Sequence, residues 1–153
     1  MPSHAEKRIL HHRPEQLFDL VADVGRYPEF LPWCIAARRK SQNGNVYLWD
    51  LIIGFRMIRE RFTSQVTLTP EDRRIDVTYL DGPFRYLNNH WIFLEHEEGC
   101  MIDFYVDFEF RSKMLSKIMG MVFSEAVQMM VRAFEKRADA LYGKGGTGTS
   151  PAS

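Results

Sequence analysis

Apolar side chains recur along this chain with two different periods. Between residues 100 and 110, Cys100, Ile102, Phe104, Val106, Phe108 and Phe110 fall on one face, while Asp103, Asp107 and Glu109 fall on the other. That period of two is the mark of a half-buried strand. Shorter alternating runs occupy 4–11, 35–41, 46–53, 60–69, 74–80 and 86–95, separated by the turn signals Asn43-Gly44, Pro70-Glu71-Asp72, Asp81-Gly82-Pro83 and Glu97-Glu98-Gly99. Consecutive hairpins of this kind predict an antiparallel sheet with one wet and one buried face. The other period is helical. Leu17, Phe18, Leu20, Val21 and Val24 predict a short helix over 15–24, opened by Pro14. Arg13 is a poor cap, so that end is expected to borrow a partner. Two prolines within 27–34 exclude a long helix or a central strand there, leaving a helical turn inside a fixed loop.

A second helix is expected to run from the cap residue Ser112 to Gly143. About 30 residues at 1.5 Å each make a rod of about 45 Å, against a radius of gyration near 15 Å for a domain of this size. The rod must therefore cross the whole body. Its apolar stripe widens in the first half, where Met121 and Phe123 extend it. The elements predict an α+β domain over 1–143, in which a curled antiparallel sheet of six to seven strands wraps the long C-terminal helix, with one or two short N-terminal helices. The Gly/Ser/Thr-rich residues 144–153 read as a disordered tail. A sheet that wraps a rod cannot touch it everywhere, and the gap is the natural place for an apolar ligand.

Composition narrows the function. The 153 residues are 45% hydrophobic and 13% aromatic, enough for one packed core. Lys+Arg and Asp+Glu each number 20, and this zero formal net charge removes the main argument for a dedicated DNA- or RNA-binding protein. Two cysteines are too few for a disulfide framework, and no apolar run approaches the roughly 20 residues of a membrane span. The first residues resemble neither a signal nor a transit peptide. The expectation is a soluble cytoplasmic protein.

Catalytic machinery is sparse. None of the five histidines forms a metal-ligand spacing with Cys34 or Cys100, and no nucleophile elbow, phosphate loop or dinucleotide fingerprint occurs. His11-His12 reads as a solvated surface pair, and Cys34 as a buried inert thiol. The informative feature is the surplus of aromatics and the eight methionines, concentrated in the long helix, where flexible thioethers suit an irregular guest. Gly120, unfavourable in mid-helix, suggests a close approach to the backbone there. Arg38-Arg39-Lys40, Arg56, Arg59, Arg61, Arg111, Lys113 and Lys117 could gather at one rim to meet anionic headgroups or RNA phosphates.

The segment Tyr27-Pro28-Glu29-Phe30-Leu31-Pro32-Trp33-Cys34 resembles the coenzyme Q-binding START-like family, which is related to the polyketide cyclase/dehydrase proteins and to the bacterial ribosome association toxin. Phe62-Thr63-Ser64, Asp81-Gly82-Pro83-Phe84, Phe108-Glu109-Phe110 and Ala133-Phe134-Glu135-Lys136-Arg137-Ala138 extend the likeness from about residue 4 to 143. The resemblance implies a helix-grip fold with a lipid-sized tunnel and no catalysis. The bound ligand would be ubiquinone, an isoprenoid quinone used in respiration, with no further cofactor and no metal. By the same likeness, Tyr27, Phe30, Leu31 and Trp33 match the loop that closes the tunnel, and Phe62, Phe84, Leu87, Trp91 and Phe93 match its sheet wall. Val122, Phe123, Met130 and Phe134 join them from helix periodicity alone. Residues 54–58, Gly-Phe-Arg-Met-Ile, depart from the family's small-residue turn, so Met57 and Ile58 are expected to reshape that side of the mouth. A quinone carrier must touch the inner membrane peripherally. Ribosome binding is the alternative partner reading, because both branches share these motifs, and a cyclase-like enzyme ranks last for want of an acid or base.

Overall fold

The computed structural model describes residues 3–55 and 58–143. The expected tail, Arg56 and Met57 lie outside the described residues. The chain runs β1 (Ser3–Leu10), α1 (Pro14–Ala22), a 3₁₀ turn (Val24–Glu29), β2 (Cys34–Asn43), β3 (Val46–Phe55), β4 (Ile58–Thr69), a 3₁₀ turn (Pro70–Asp72), β5 (Arg74–Asp81), β6 (Phe84–His96), β7 (Gly99–Phe110) and α2 (Lys113–Tyr142). The seven strands form one antiparallel sheet in the order β1-β7-β6-β5-β4-β3-β2. Six strands form a meander, and β1 closes it by pairing with β7, Ser3 opposite Asp107 and Leu10 opposite Cys100.

Local chemistry sets the joints. The Arg13 N–H at the start of α1 donates to Gln16 Oε1 at 3.0 Å, which is the borrowed partner an arginine cap needs. Ser112 Oγ accepts from Leu115 N at 3.2 Å and starts α2. Gly82, at φ +140°, lets the β5–β6 turn press on Phe62, whose Cβ would lie 2.5 Å from an added Cβ. Register shifts interrupt the ladders at Cys34/Ala36, Arg39/Ser41, Thr63/Ser64 and Phe84/Tyr86. Such irregularities bend and twist strands, which is how this sheet curls around α2.

The buried side chains fall into two clusters. One joins α1 and the loop after it to Val66, Ile75, Trp91, Phe93, Ile102, Phe104, Phe134 and Ala138. The other gathers Ile58, Phe62, Phe84, Phe108, Phe110 and Met119 at the opposite end.

Three expectations are corrected. His12 is not solvated; it is 4% exposed, with Nε2 3.0 Å from Asp139 Oδ1, while His11 next to it is exposed. The backbone of His12 runs close against Gly99, whose added Cβ would lie 2.9 Å from His12 N and O. Gly120 is exposed, and an added Cβ would meet nothing within 4 Å, so no group approaches the backbone there. Finally, α2 is long and apolar enough to cross a membrane by length and composition, because only Lys117 and Glu125 are charged between Met114 and Val131. Here it lies against the sheet, burying Met119, Val127, Phe134 and Ala138.

Candidate functional site

The segment after α1 folds back on itself. Leu31 N donates to Tyr27 O at 2.8 Å, Cys34 N to Leu31 O at 3.0 Å, and the Tyr27 hydroxyl to Val21 O. Gly54 N donates to Trp33 O at 2.9 Å, fixing the far end of the segment to β3. Against α2 the same segment makes an aromatic seam, with ring centroids 5.5 Å apart for Tyr27–Phe134 and 5.2 Å for Phe30–Phe134. An ion pair from Arg137 to Glu29 at 2.7 Å completes the join, and the guanidinium carbon lies 5.1 Å from the Phe30 ring centroid. The loop is therefore a latched cover over the end of the helix–sheet gap.

Beneath it lies a cavity of about 220 Å³ between sheet and helix. Its wall takes residues from the loop, from β3 to β7 and from α2. Ten of the thirteen residues expected at the site line it: Tyr27, Leu31 and Trp33; Phe62, Phe84, Leu87 and Trp91; and Phe123, Met130 and Phe134. Three do not. Phe30 is half-buried between Phe134 and Arg137, packed on the core beside the cavity rather than in its wall. Phe93 is 1% exposed and packs edge-on to Phe18 of α1, filling the sheet–α1 contact instead. Val122 packs on the second buried cluster. The lining positions of α2 are Met119, Phe123, Ala126, Val127, Met130 and Phe134. At about 100° per residue, Val122 falls about 40° outside the arc they span.

Sequence reasoning missed several wall residues, notably Val21, Val24, Val127, Ser64 and Asn89. Val127 could have been found from Phe123 by the i, i+4 rule. Ser64 and Asn89 are polar residues at apolar phases of their strands, Phe62-x-Ser64-x-Val66 and Leu87-x-Asn89-x-Trp91. That inversion was a legible signal. Ile58, expected at the mouth, is 1% exposed and lines the wall.

Among the described residues no charged side chain lines the cavity. Some of its polar groups are engaged, while Ser64 Oγ and Trp33 Nε1 have no hydrogen-bond partner among the described residues. Asn89 Nδ2 donates to Tyr105 O at 2.8 Å, and Asn89 Oδ1 accepts from Trp91 Nε1 at 3.1 Å. Burial pushes the Cys34 thiol up to about 11 and raises the Tyr27 phenol, so both are neutral near pH 7. The Cys100 thiol, pushed up to about 12 by burial, lies elsewhere in the core. Nothing in this wall is poised to move a proton. Among the described residues no cluster of His, Cys, Asp or Glu could hold a metal. What the arrangement can do is enclose an uncharged, apolar molecule.

Two of the basic residues share one carboxylate, and a third is held elsewhere. Arg38 and Arg61 converge on Asp50 at 4.0 and 3.6 Å, where the Thr63 hydroxyl, donating at 2.6 Å, holds the carboxyl below its usual range. Arg111 instead donates to Phe84 O at 2.9 Å and the Tyr79 hydroxyl at 3.3 Å.

Comparison with known proteins places this geometry. Residues 10–135 match the model of a family described as polyketide cyclase/dehydrase and lipid transport. Over 141 residues the chain is 40% identical to the ribosome association toxin RatA of Rickettsia prowazekii, covering 90% of this chain and 97% of that one. It is 35% identical over 146 residues to the mitochondrial coenzyme Q-binding protein COQ10 homolog B of Xenopus laevis, covering 92% of this chain but only 59% of the relative. The fold matches a START superfamily protein from Mycobacterium smegmatis with a TM-score of 0.70 at 15% identity, covering 91% of this chain and 98% of that one.

Proposed function

This chain belongs to the polyketide cyclase/dehydrase and lipid transport family, and from that premise we propose that it binds a neutral isoprenoid quinone, ubiquinone, without catalysing a reaction on it. The observation that carries the reading is the cavity wall, apolar and free of charged side chains among the described residues. Roughly 25 cal/mol per Å² of apolar surface removed from water makes a prenyl tail a strong ligand. A volume of about 220 Å³ is below the roughly 300–1,000 Å³ of ordinary small-molecule sites. A long tail therefore has to part the walls, and the flexible Met119 and Met130 with the latched loop are the parts that give. The coenzyme Q-binding relative supports the quinone assignment.

Loading requires a bilayer. The outer face of α2 presents the exposed Met114, Lys117 and Met121 at i, i+3 and i+7, two apolar tips around a cation, suited to an anionic membrane surface. On this reading the protein is cytoplasmic and peripheral at the inner membrane, handing quinone to respiration. The test is organic extraction of freshly purified protein followed by mass spectrometry. About one quinone per chain is expected; protein free of lipid that also shows no tryptophan quenching on adding decylubiquinone would overturn the reading.

A second reading has its own support. The relative at 40% identity is named for ribosome association, and the edge strand β2 exposes Arg38, Arg39 and Lys40 side by side. Co-sedimentation with large ribosomal subunits, abolished by reversing these three charges, is the result that would favour it.

A further inference from the structure

Ser64 breaks the chemistry of its own strand. Along β4 the inward positions are Phe62, Ser64 and Val66, all buried, and all three line the cavity. Ser64 is 1% exposed, and its Oγ has no hydrogen-bond partner among the described residues. The neighbours across the ladder cannot serve it. Trp49 stands opposite on β3, and Tyr79 on β5 spends its hydroxyl as a donor to Gly82 O at 2.6 Å and as an acceptor from Arg111. A buried, unpaired hydroxyl is unfavourable, and native structures keep few of them without a reason. A side chain of alanine or valine would fill this position at lower cost.

We infer that Ser64 anchors the polar head of the bound lipid, its hydroxyl donating to a carbonyl or ether oxygen. This deepens the quinone reading and rests on it. Two further unused N–H groups of the wall can donate in the same way. Trp33 Nε1, a group that can only donate, is likewise buried without a partner among the described residues. Asn89, two strands away on β6, has used one of its two amide hydrogens, on Tyr105 O. Unsatisfied donors without a charge select a ligand that is neutral and rich in acceptor oxygens. A carboxylate or phosphate head would be buried here without a counter-charge. Prenyl chains bearing quinone carbonyls and methoxy groups meet both conditions, and fatty acids and phospholipids do not.

The test compares two probes on lipid-stripped protein: 2-hexyl-1,4-benzoquinone, and hexylbenzene, which keeps tail and ring but has no oxygen. Ser64→Ala is expected to weaken the quinone about fivefold, the size of one neutral hydrogen bond, and to leave hexylbenzene within about twofold. Ser64→Thr, which keeps the hydroxyl, is expected to retain the preference. In the infrared, the carbonyl stretch of the bound quinone should shift on going from wild type to Ser64→Ala, a change that altered packing alone would not give. If Ser64→Ala affects both probes alike, or neither, the anchor is wrong while the cavity reading stands. If the wild type binds neither probe, the quinone reading fails and the anchor goes with it.

Discussion

A hydroxyl held in a greasy wall weakens the empty protein in order to serve the loaded one. Removing it relieves a buried unsatisfied group, so Ser64→Ala is expected to stabilise the lipid-free chain by about 1 kcal/mol, or about 3 °C in melting temperature for a domain of this size. Calorimetry on stripped protein checks this, and a lower melting temperature would mean that the hydroxyl has a native protein partner. Single residues were also where the sequence was hardest to read. The alternation on β7 placed Phe104, Phe108 and Phe110 correctly, because a strand has only two faces. His12 was misplaced because the turn against Gly99 follows from long-range packing, which no local pattern records. Val122 was misplaced because the apolar stripe of α2 is too wide to fix the helix's rotation to better than one position.

Between elements, the decisive join is the one from the Val24–Glu29 turn to α2. The Glu29 carboxyl lies below its ordinary range of about 4.5, chiefly because Arg137 and then Arg26 donate to it. A lowered carboxyl contributes its share of stability above the unfolded value and loses it as pH falls through the folded one. The latch is therefore expected to be constant from pH 8 to 5 and to loosen below about 4.5. Arg137→Ala removes the ion pair and the contact over Phe30 together, and should speed release of bound quinone about threefold at pH 7. Stopped-flow transfer to acceptor vesicles reads the rate; an unchanged rate would show that lipid leaves by another route. The prolines of this segment announced a fixed loop in the sequence. Its attachment to α2, through residues more than a hundred positions apart, was not legible there.

For the molecule as a whole, the curled sheet with a long helix laid across it followed from consecutive hairpins and one long rod, and the family likeness added the helix-grip fold. The hollow was expected from the same geometry, but which side chains line it was only partly legible, since the apolar pattern that lines a cavity is the same one that fills a core. Its emptiness can be tested by filling it. Ala126→Phe, on the helix wall, is expected to leave the domain folded with an equal or higher melting temperature and to cut co-purified quinone at least about tenfold. Full loading of that variant would place the lipid elsewhere. The pairing of β1 with β7 has a consequence for how the chain is born. Ser3 must wait for Asp107 before β1 finds its neighbour, so β1 is synthesised about a hundred residues before the strand it pairs with. Synthesis at about 5–20 residues per second makes that delay several seconds. During it an unpartnered edge is exposed, and the sheet completes only once β7 has been made.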